Sequence, residues 1–170
     1  MNGTQEIRVK ESGVSFGPFA PDNFFHMEKS DVYKKLGKGY STVEFLWVDA
    51  MKNFIFVEAK SSSPRPDKTD HTDFDKYIDE ISDKFQDSYQ LFLASVLGRR
   101  KSENMGKEVR GFKADSSNIK FVLVIPTHKF DWLVALNDAL KKQLRKTISI
   151  WNIEIAVMNE ELAREHGLLT

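Results

Sequence analysis

The chain has no cysteine among its 170 residues. That absence removes disulfides, thiolate zinc sites and cysteine nucleophiles together. No apolar run approaches the roughly 20 residues that span a bilayer, so no membrane partner is expected. Met1 to Glu6 lack the basic and apolar regions of a secretory leader, and a cytoplasmic location is the expectation. Net charge is missing too, since 25 acidic residues balance 25 basic ones. A surface that attracts polyanions over its whole extent is therefore not indicated, although local potential governs binding more than the sum does. No Gly-rich phosphate loop, nucleophile elbow or dinucleotide fingerprint occurs. The four histidines, His26, His71, His128 and His166, include no i,i+4 metal pair, which argues against a zinc site.

What remains is an ordinary globular composition, 41% hydrophobic and 29% charged, long enough for a single domain spanning residues 1–170 with one core. The pattern predicts an α/β order with a central mixed β-sheet flanked by helices. A first strand is expected over residues 6–16, from Ile7, Val9, Val14 and Phe16. Pro18 and Pro21 break the chain, and Asp22 or Asn23 is expected to cap a helix reaching Leu36, ended by Gly37 and Gly39. A hairpin over 41–61 and a Ser/Pro loop at 61–66 follow. The apolar positions Phe74, Tyr77, Ile78, Ile81, Phe85, Tyr89, Phe92 and Val96 predict a long amphipathic helix from Thr72 to Gly98. Residues 99–118 are polar, basic and glycine-containing, and read as a long loop or flap. A buried strand over 119–125, a helix over 131–146 and a last strand over 148–157 complete the expectation.

The hairpin carries the chemistry. In Asn53-Phe54-Ile55-Phe56-Val57-Glu58-Ala59-Lys60 the side chains alternate, so Phe54, Phe56, Glu58 and Lys60 share one face. A carboxylate and an ammonium ending an apolar strand are costly unless paired, hydrated or bound to a metal. Joining the strands through Ala50-Met51-Lys52 sets Val48 opposite Phe54 and Glu44 opposite Glu58, with β-carbons about 5 Å apart. Asp49, the rival acid, would lie roughly 15 Å from Glu44 at about 3.3 Å per residue, and reads as a turn residue. Two carboxylates so close need compensation. Either a divalent cation supplies it, magnesium favouring one or two carboxylates plus waters, or Glu44 sits at a sheet margin and pairs with Lys60.

The acidic strand residue, the interval to Glu-x-Lys and the order of flanking elements resemble the PD-(D/E)XK nuclease superfamily. Glu44 matches the first acid, Glu58 the second and Lys60 the lysine, and Ser61-Ser62-Ser63-Pro64 after it is similar to family members. The likeness covers about residues 24–126. The chain departs from the family in having Glu44 where aspartate is commoner, and in lacking a proline before that acid. The resemblance implies a restriction-endonuclease-like core and a magnesium- or manganese-dependent hydrolase, an endonuclease or exonuclease acting on DNA. In it Glu44 and Glu58 hold the metal, and Lys60 orients water or stabilises the charged phosphorane. Glu28, expected on the first helix, corresponds to an extra metal-ligating glutamate of many members. Gln86 and Gln90 flank Tyr89 one turn apart and are kept as site-lining candidates, although the Gln/Tyr motif of exonuclease-like members is not met.

Arg99, Arg100 and Lys101, continuing through Lys107, Arg110 and Lys113, form a basic cluster that could bind substrate if it shares a face with the acids. Lys141, Lys142, Arg145 and Lys146 form a second. Asp70 and His71 sit where they could approach the site. Trp47, Trp132 and Trp151 read as packing residues. Nucleic acid is the expected partner, with a homodimer or a protein partner assisting through the final strand or the aromatic N-terminal segment. The competing reading is a non-catalytic nucleic-acid-binding or protein-assembly module that retains the nuclease fold.

Overall fold

A computed structural model describes residues 5–66 and 70–170. Residues 1–4 and 67–69, inside the span expected to form one domain, lie outside the described residues. A hairpin of β1 (Ile7–Glu11) and β2 (Val14–Phe19) stands apart from a mixed five-stranded sheet. The sheet runs in the order β3 (Phe24–Phe25), β4 (Phe45–Val48), β5 (Asn53–Ala59), β6 (Asn118–Val124), β7 (Glu154–Met158). The β3, β4 and β5 neighbours are antiparallel, while β5, β6 and β7 are parallel. The helices are α1 (Asp31–Lys34), α2 (Thr72–Val96), α3 (Lys107–Arg110), α4 (Phe130–Gln143), α5 (Arg145–Trp151) and α6 (Glu160–Glu165). No helix among the described residues is long and apolar enough to cross a membrane.

All seven residues of β5 are buried, and they divide between two cores. Phe54 and Phe56 pack against α2 and α4 through Ile81, Phe85, Phe92 and Leu136. Ile55, Val57 and Ala59 face the β1–β2 hairpin and α6 through Val9, Phe16, Phe19 and Ala163. This is the alternation the sequence predicts, and it makes β5 the layer on which both cores rest. Aromatic pairs reinforce each side: Phe85 stacks on Phe121 at 4.8 Å, and Phe19 on Phe24 at 5.4 Å.

Three expected elements take another form. The first strand is a hairpin, turned by Ser12 and Gly13 with positive φ. The helix expected from Asp22 to Leu36 does not form: a 3-10 turn at Pro21–Asn23 leads into β3, and only one helical turn follows, capped by Ser30. Phe24 and Phe25 decide this, because they enter opposite cores, which adjacent residues do in a strand and not in a helix. The aromatic side chains of the N-terminal segment go into the fold's own interior, with Phe16, Phe19, Phe24 and Phe25 all buried. Ile148 to Trp151 belong to α5, which ends where Asn152 adopts the left-handed conformation, so the final strand begins only at Glu154. The alternating Ile148-Ser149-Ile150 pattern mimics a strand, yet Ile150 is exposed.

The segment 99–118 is tied down. Met105 and Val109 are buried, and the Arg110 guanidinium donates to the carbonyls of Ser102 at 2.7 Å and Met105 at 3.0 Å. Gly106 N–H donates to the Phe24 carbonyl at 3.1 Å, and its Cα lies against the chain at Pro21–Asp22. A β-carbon there would stand 2.5 Å from the Pro21 carbonyl oxygen, with the Asp22 carbonyl as close. Gly106→Ala is therefore expected to cost roughly 1–3 kcal/mol, in the range of overpacked sites. Chemical denaturation checks this, and an unchanged midpoint would count against the close approach.

Candidate functional site

The carboxyl end of β5 and the entry to β4 meet as the register arithmetic requires. Phe45 pairs with Val57, so Glu44, one residue before β4, stands opposite Glu58. Asp49 is a turn residue: its carboxylate accepts from the Met51 and Asn53 amides at 2.9 Å each, and from Asn53 Nδ2 at 2.7 Å. Helix α2 fixes the approach to Glu44, since Ser88 Oγ accepts from Val43 N–H at 2.8 Å and Asp87 from Ser41 N–H at 3.0 Å. On the other side Lys60 N–H donates to the Val124 carbonyl at 2.9 Å. The Ser61–Pro66 loop is pinned to the start of α4, with Ser63 Oγ 2.6 Å from His128 Nε2 and Arg65 over the Trp132 ring.

Glu58 is completely buried, with Lys60 Nζ 3.3 Å and Lys84 Nζ 2.8 Å from the same oxygen, Oε1. Both contacts are ionic and not directional: neither carboxylate oxygen of Glu58 meets hydrogen-bond geometry. Lys60 thus pairs with Glu58, not with Glu44. Glu44 joins another group, in which one carboxylate oxygen each of Glu11, Glu28 and Glu44 lie within 4.8 Å of one another. Glu44 is buried and its Oε2 has no hydrogen-bond partner. Four carboxyl groups therefore face two ammonium groups around one sheet end.

The charges respond accordingly. Burial, then a hydrogen bond to Glu28 and repulsion from Glu58, Glu28 and Glu11, push Glu44 up to about 8. Burial also pushes Glu58 up, only partly offset by Lys84 and Lys60. For Lys84, burial favours the neutral amine, but the charge of Glu58 outweighs it and holds the ammonium above its ordinary value. Burial raises the Tyr77 hydroxyl, and Glu58 adds to the shift. That hydroxyl too is buried without a partner.

Of the three acids expected to hold a metal, Glu44 and Glu28 converge with Glu11 while Glu58 stands outside that group, and Glu28 sits in the turn between β3 and α1 and not on a helix. Glu11, Lys84 and Tyr77 join the site without being singled out by the hairpin pattern. Lys84 and Tyr77 carry a signal of their own, because at 100° per residue Tyr77, Ile81, Lys84 and Ser88 form one stripe on α2, and an ammonium on a core-facing stripe needs a buried partner. Glu11 carries none, lying in a hairpin that only tertiary folding brings to β4. Gln86 and Gln90 project away from that stripe. Gln90 and Arg100 instead line a separate recess of about 240 Å³ with Leu36, Tyr40, Thr42 and Asp87. The amides of Arg99 and Arg100 close the end of α2 by donating to the Ala94 carbonyl, about 15 Å along the helix from Lys84. The rest of the basic segment packs near the β4–β5 turn, where Lys52 pairs with Glu108, so Lys107, Arg110 and Lys113 do not border the acids. Asp70 turns the chain into α2, accepting from Thr72 N–H at 3.0 Å, and His71 lines a recess with Asp75 and Lys142.

No protein-family model matches the chain, and no curated protein or solved structure matches it.

The donor set suits a hard divalent cation. It offers carboxylate oxygens only, no sulfur, and buried ones that lack partners. Glu44 binds its proton more tightly in the folded protein than at its ordinary value of 4.5. Its contribution to stability is complete below that value and is lost as pH rises through about 8. Without metal, the melting temperature is expected to fall between mildly acidic pH and pH about 8, while Glu44→Gln flattens the fall and Mn2+ abolishes it. A wild-type slope that neither Glu44→Gln nor Mn2+ alters would rule this out.

Proposed function

We propose that the protein is a divalent-metal-dependent nuclease that hydrolyses phosphodiester bonds, with DNA as its substrate and a restriction-endonuclease-like core. The observation that carries this reading is the grouping at one sheet end of Glu44, Glu58 and Lys60, with orphaned carboxylate oxygens buried among them. The succession α1, β4–β5, α2, β6 supports it, because it repeats the helix–hairpin–helix–strand order of the PD-(D/E)XK likeness. Glu44, Glu28, Glu11 and Glu58 would hold magnesium or manganese. Once bound, such an ion polarises a phosphoryl oxygen and acidifies water.

The chain's own residues do the remainder. Lys60 is one-third exposed, so its ammonium reaches solvent while Glu58 anchors it. From there it orients the attacking water or meets the negative charge that develops on the non-bridging oxygens. A compact ammonium on a flexible stem suits that task better than a guanidinium fork. The buried apolar walls on either side of β5 exclude bulk water from behind the carboxylates and strengthen every charge interaction there. Arg100 and Gln90, beside Thr42, supply a neighbouring surface for the nucleic-acid backbone.

One observation favours a second reading, a non-catalytic nucleic-acid-binding or assembly module: Glu58 already has two lysine partners within the chain. A cleavage panel of single- and double-stranded DNA and RNA with Mg2+ or Mn2+ separates the two. Lys60→Ala is expected to lower the cleavage rate about a hundredfold or more with little change in melting temperature, because Lys84 still pairs with Glu58. Wild type that cuts nothing, or Lys60→Ala that cuts normally, would sink the nuclease reading. Arg100→Ala is expected to weaken DNA binding and reduce the slope of log affinity against log salt by about one, measured by fluorescence anisotropy at several salt concentrations.

A further inference from the structure

The metal reading leaves Lys84 unexplained. Glu58 already has an ammonium at 3.3 Å in Lys60, and Lys84 adds a second at 2.8 Å on the same oxygen. Lys84 is a long side chain on the buried stripe of α2, four-fifths shielded from solvent. Its Nζ sits on Glu58, which stands opposite Glu44 in the β4–β5 register, so the ammonium lies beside the second acidic group. Burying an ammonium is costly unless the acids around it need a cation. These do: four carboxyls share this end of the sheet with two ammoniums, a shortfall of two charges if all ionise.

We propose that Lys84 is a stand-in cation: its ammonium occupies the acidic centre when no metal is bound, and a divalent ion enters by displacing it. This rests on the metal-site reading above. It makes Lys84 a positioning residue that acts through Glu58, and makes metal affinity the outcome of a competition. The flexible four-carbon stem of lysine lets the ammonium swing out without moving α2. Lys60 remains behind to keep Glu58 from standing uncompensated. A protein whose competent state must first expel an internal cation binds its ligand with an affinity reduced by the fraction of time the site is open.

The test compares wild type, Lys84→Met and Glu44→Gln by Mn2+ calorimetry, and follows acylation of each lysine by mass spectrometry with and without Mn2+. Lys84→Met is expected to bind Mn2+ at least about tenfold tighter than wild type, because the competing cation is gone. In wild type, saturating Mn2+ is expected to speed acylation of Lys84, which a static structural lysine would not show. Wild type that binds Mn2+ through Glu44, with neither tighter binding by Lys84→Met nor faster acylation of Lys84, overturns the displacement and leaves the metal site standing. If neither wild type nor Lys84→Met binds Mn2+, both fall. A Lys84→Met chain that folds only with Mn2+ supports the proposal. One that stays unfolded in millimolar Mn2+, while Lys84→Met combined with Glu58→Gln folds, assigns Lys84 a purely structural role and overturns it.

Discussion

A fully buried carboxylate between two ammonium groups is the constraint around which the rest is arranged. Glu58 sits on a strand whose every residue is buried, so water cannot solvate its charge. The protein compensates from two directions: Lys60 from the same strand face, two residues on, and Lys84 from the helix that covers that face. For Lys84 to arrive, α2 must hold its register over β5 within a fraction of a turn. That register is fixed by Phe56 against Tyr89 and Phe92, and by Ser88 and Asp87 capturing the amides ahead of Glu44. Core packing and charge compensation thus specify the same helix position.

The position of the site follows from sheet topology. In open α/β sheets, ligands sit beyond the carboxyl ends of the parallel strands, and Glu58 and Lys60 occupy that end of β5. Because β4 is antiparallel to β5, its first residues fall at the same end, which brings in Glu44. The β3–α1 turn then supplies Glu28, whose amide lies 3.4 Å from the Glu44 carbonyl. The β1 terminus supplies Glu11 from the layer on the other sheet face. Four acids separated widely in sequence meet because four chain segments end at one place.

Local periodicity makes part of this legible in the amino-acid sequence. The two faces of β5, the Glu44–Glu58 register, the turn role of Asp49 and the length of α2 are all readable, since strand alternation and helical repeat depend on neighbours alone. Phe24-Phe25 misleads because a capping residue before an apolar run looks the same whether the aromatics enter one core or two. Ile148 to Trp151 mislead because β-branched alternation resembles a strand even where most of it is exposed. The basic segment resembles a flap because nothing in its composition reveals that Gly106 can lie flat against another backbone. Lys84 is visible in principle, as a charge on a core-facing stripe, but the stripe alone does not name its partner, which lies on a strand 26 residues earlier in the sequence.

An apolar replacement of Glu58, Lys60 and Lys84 would remove the cost of burying charge, and buried ionic groups of this kind are often no better for stability than well-packed hydrophobes. Phe54 and Phe56 on the same strand face show that the fold fills this layer with aromatic side chains wherever it can. The charges therefore stand at an interior position that the core had the means to fill otherwise. Nor do they satisfy one another, since Glu44 Oε2, Glu58 Oε2 and the Tyr77 hydroxyl are left without partners. Buried polar atoms are nearly always paired, and at this sheet end two carboxylates and a hydroxyl are not. A ligand that the orphaned oxygens could complete is a hard cation, since three carboxylates converge there in a group that could hold one.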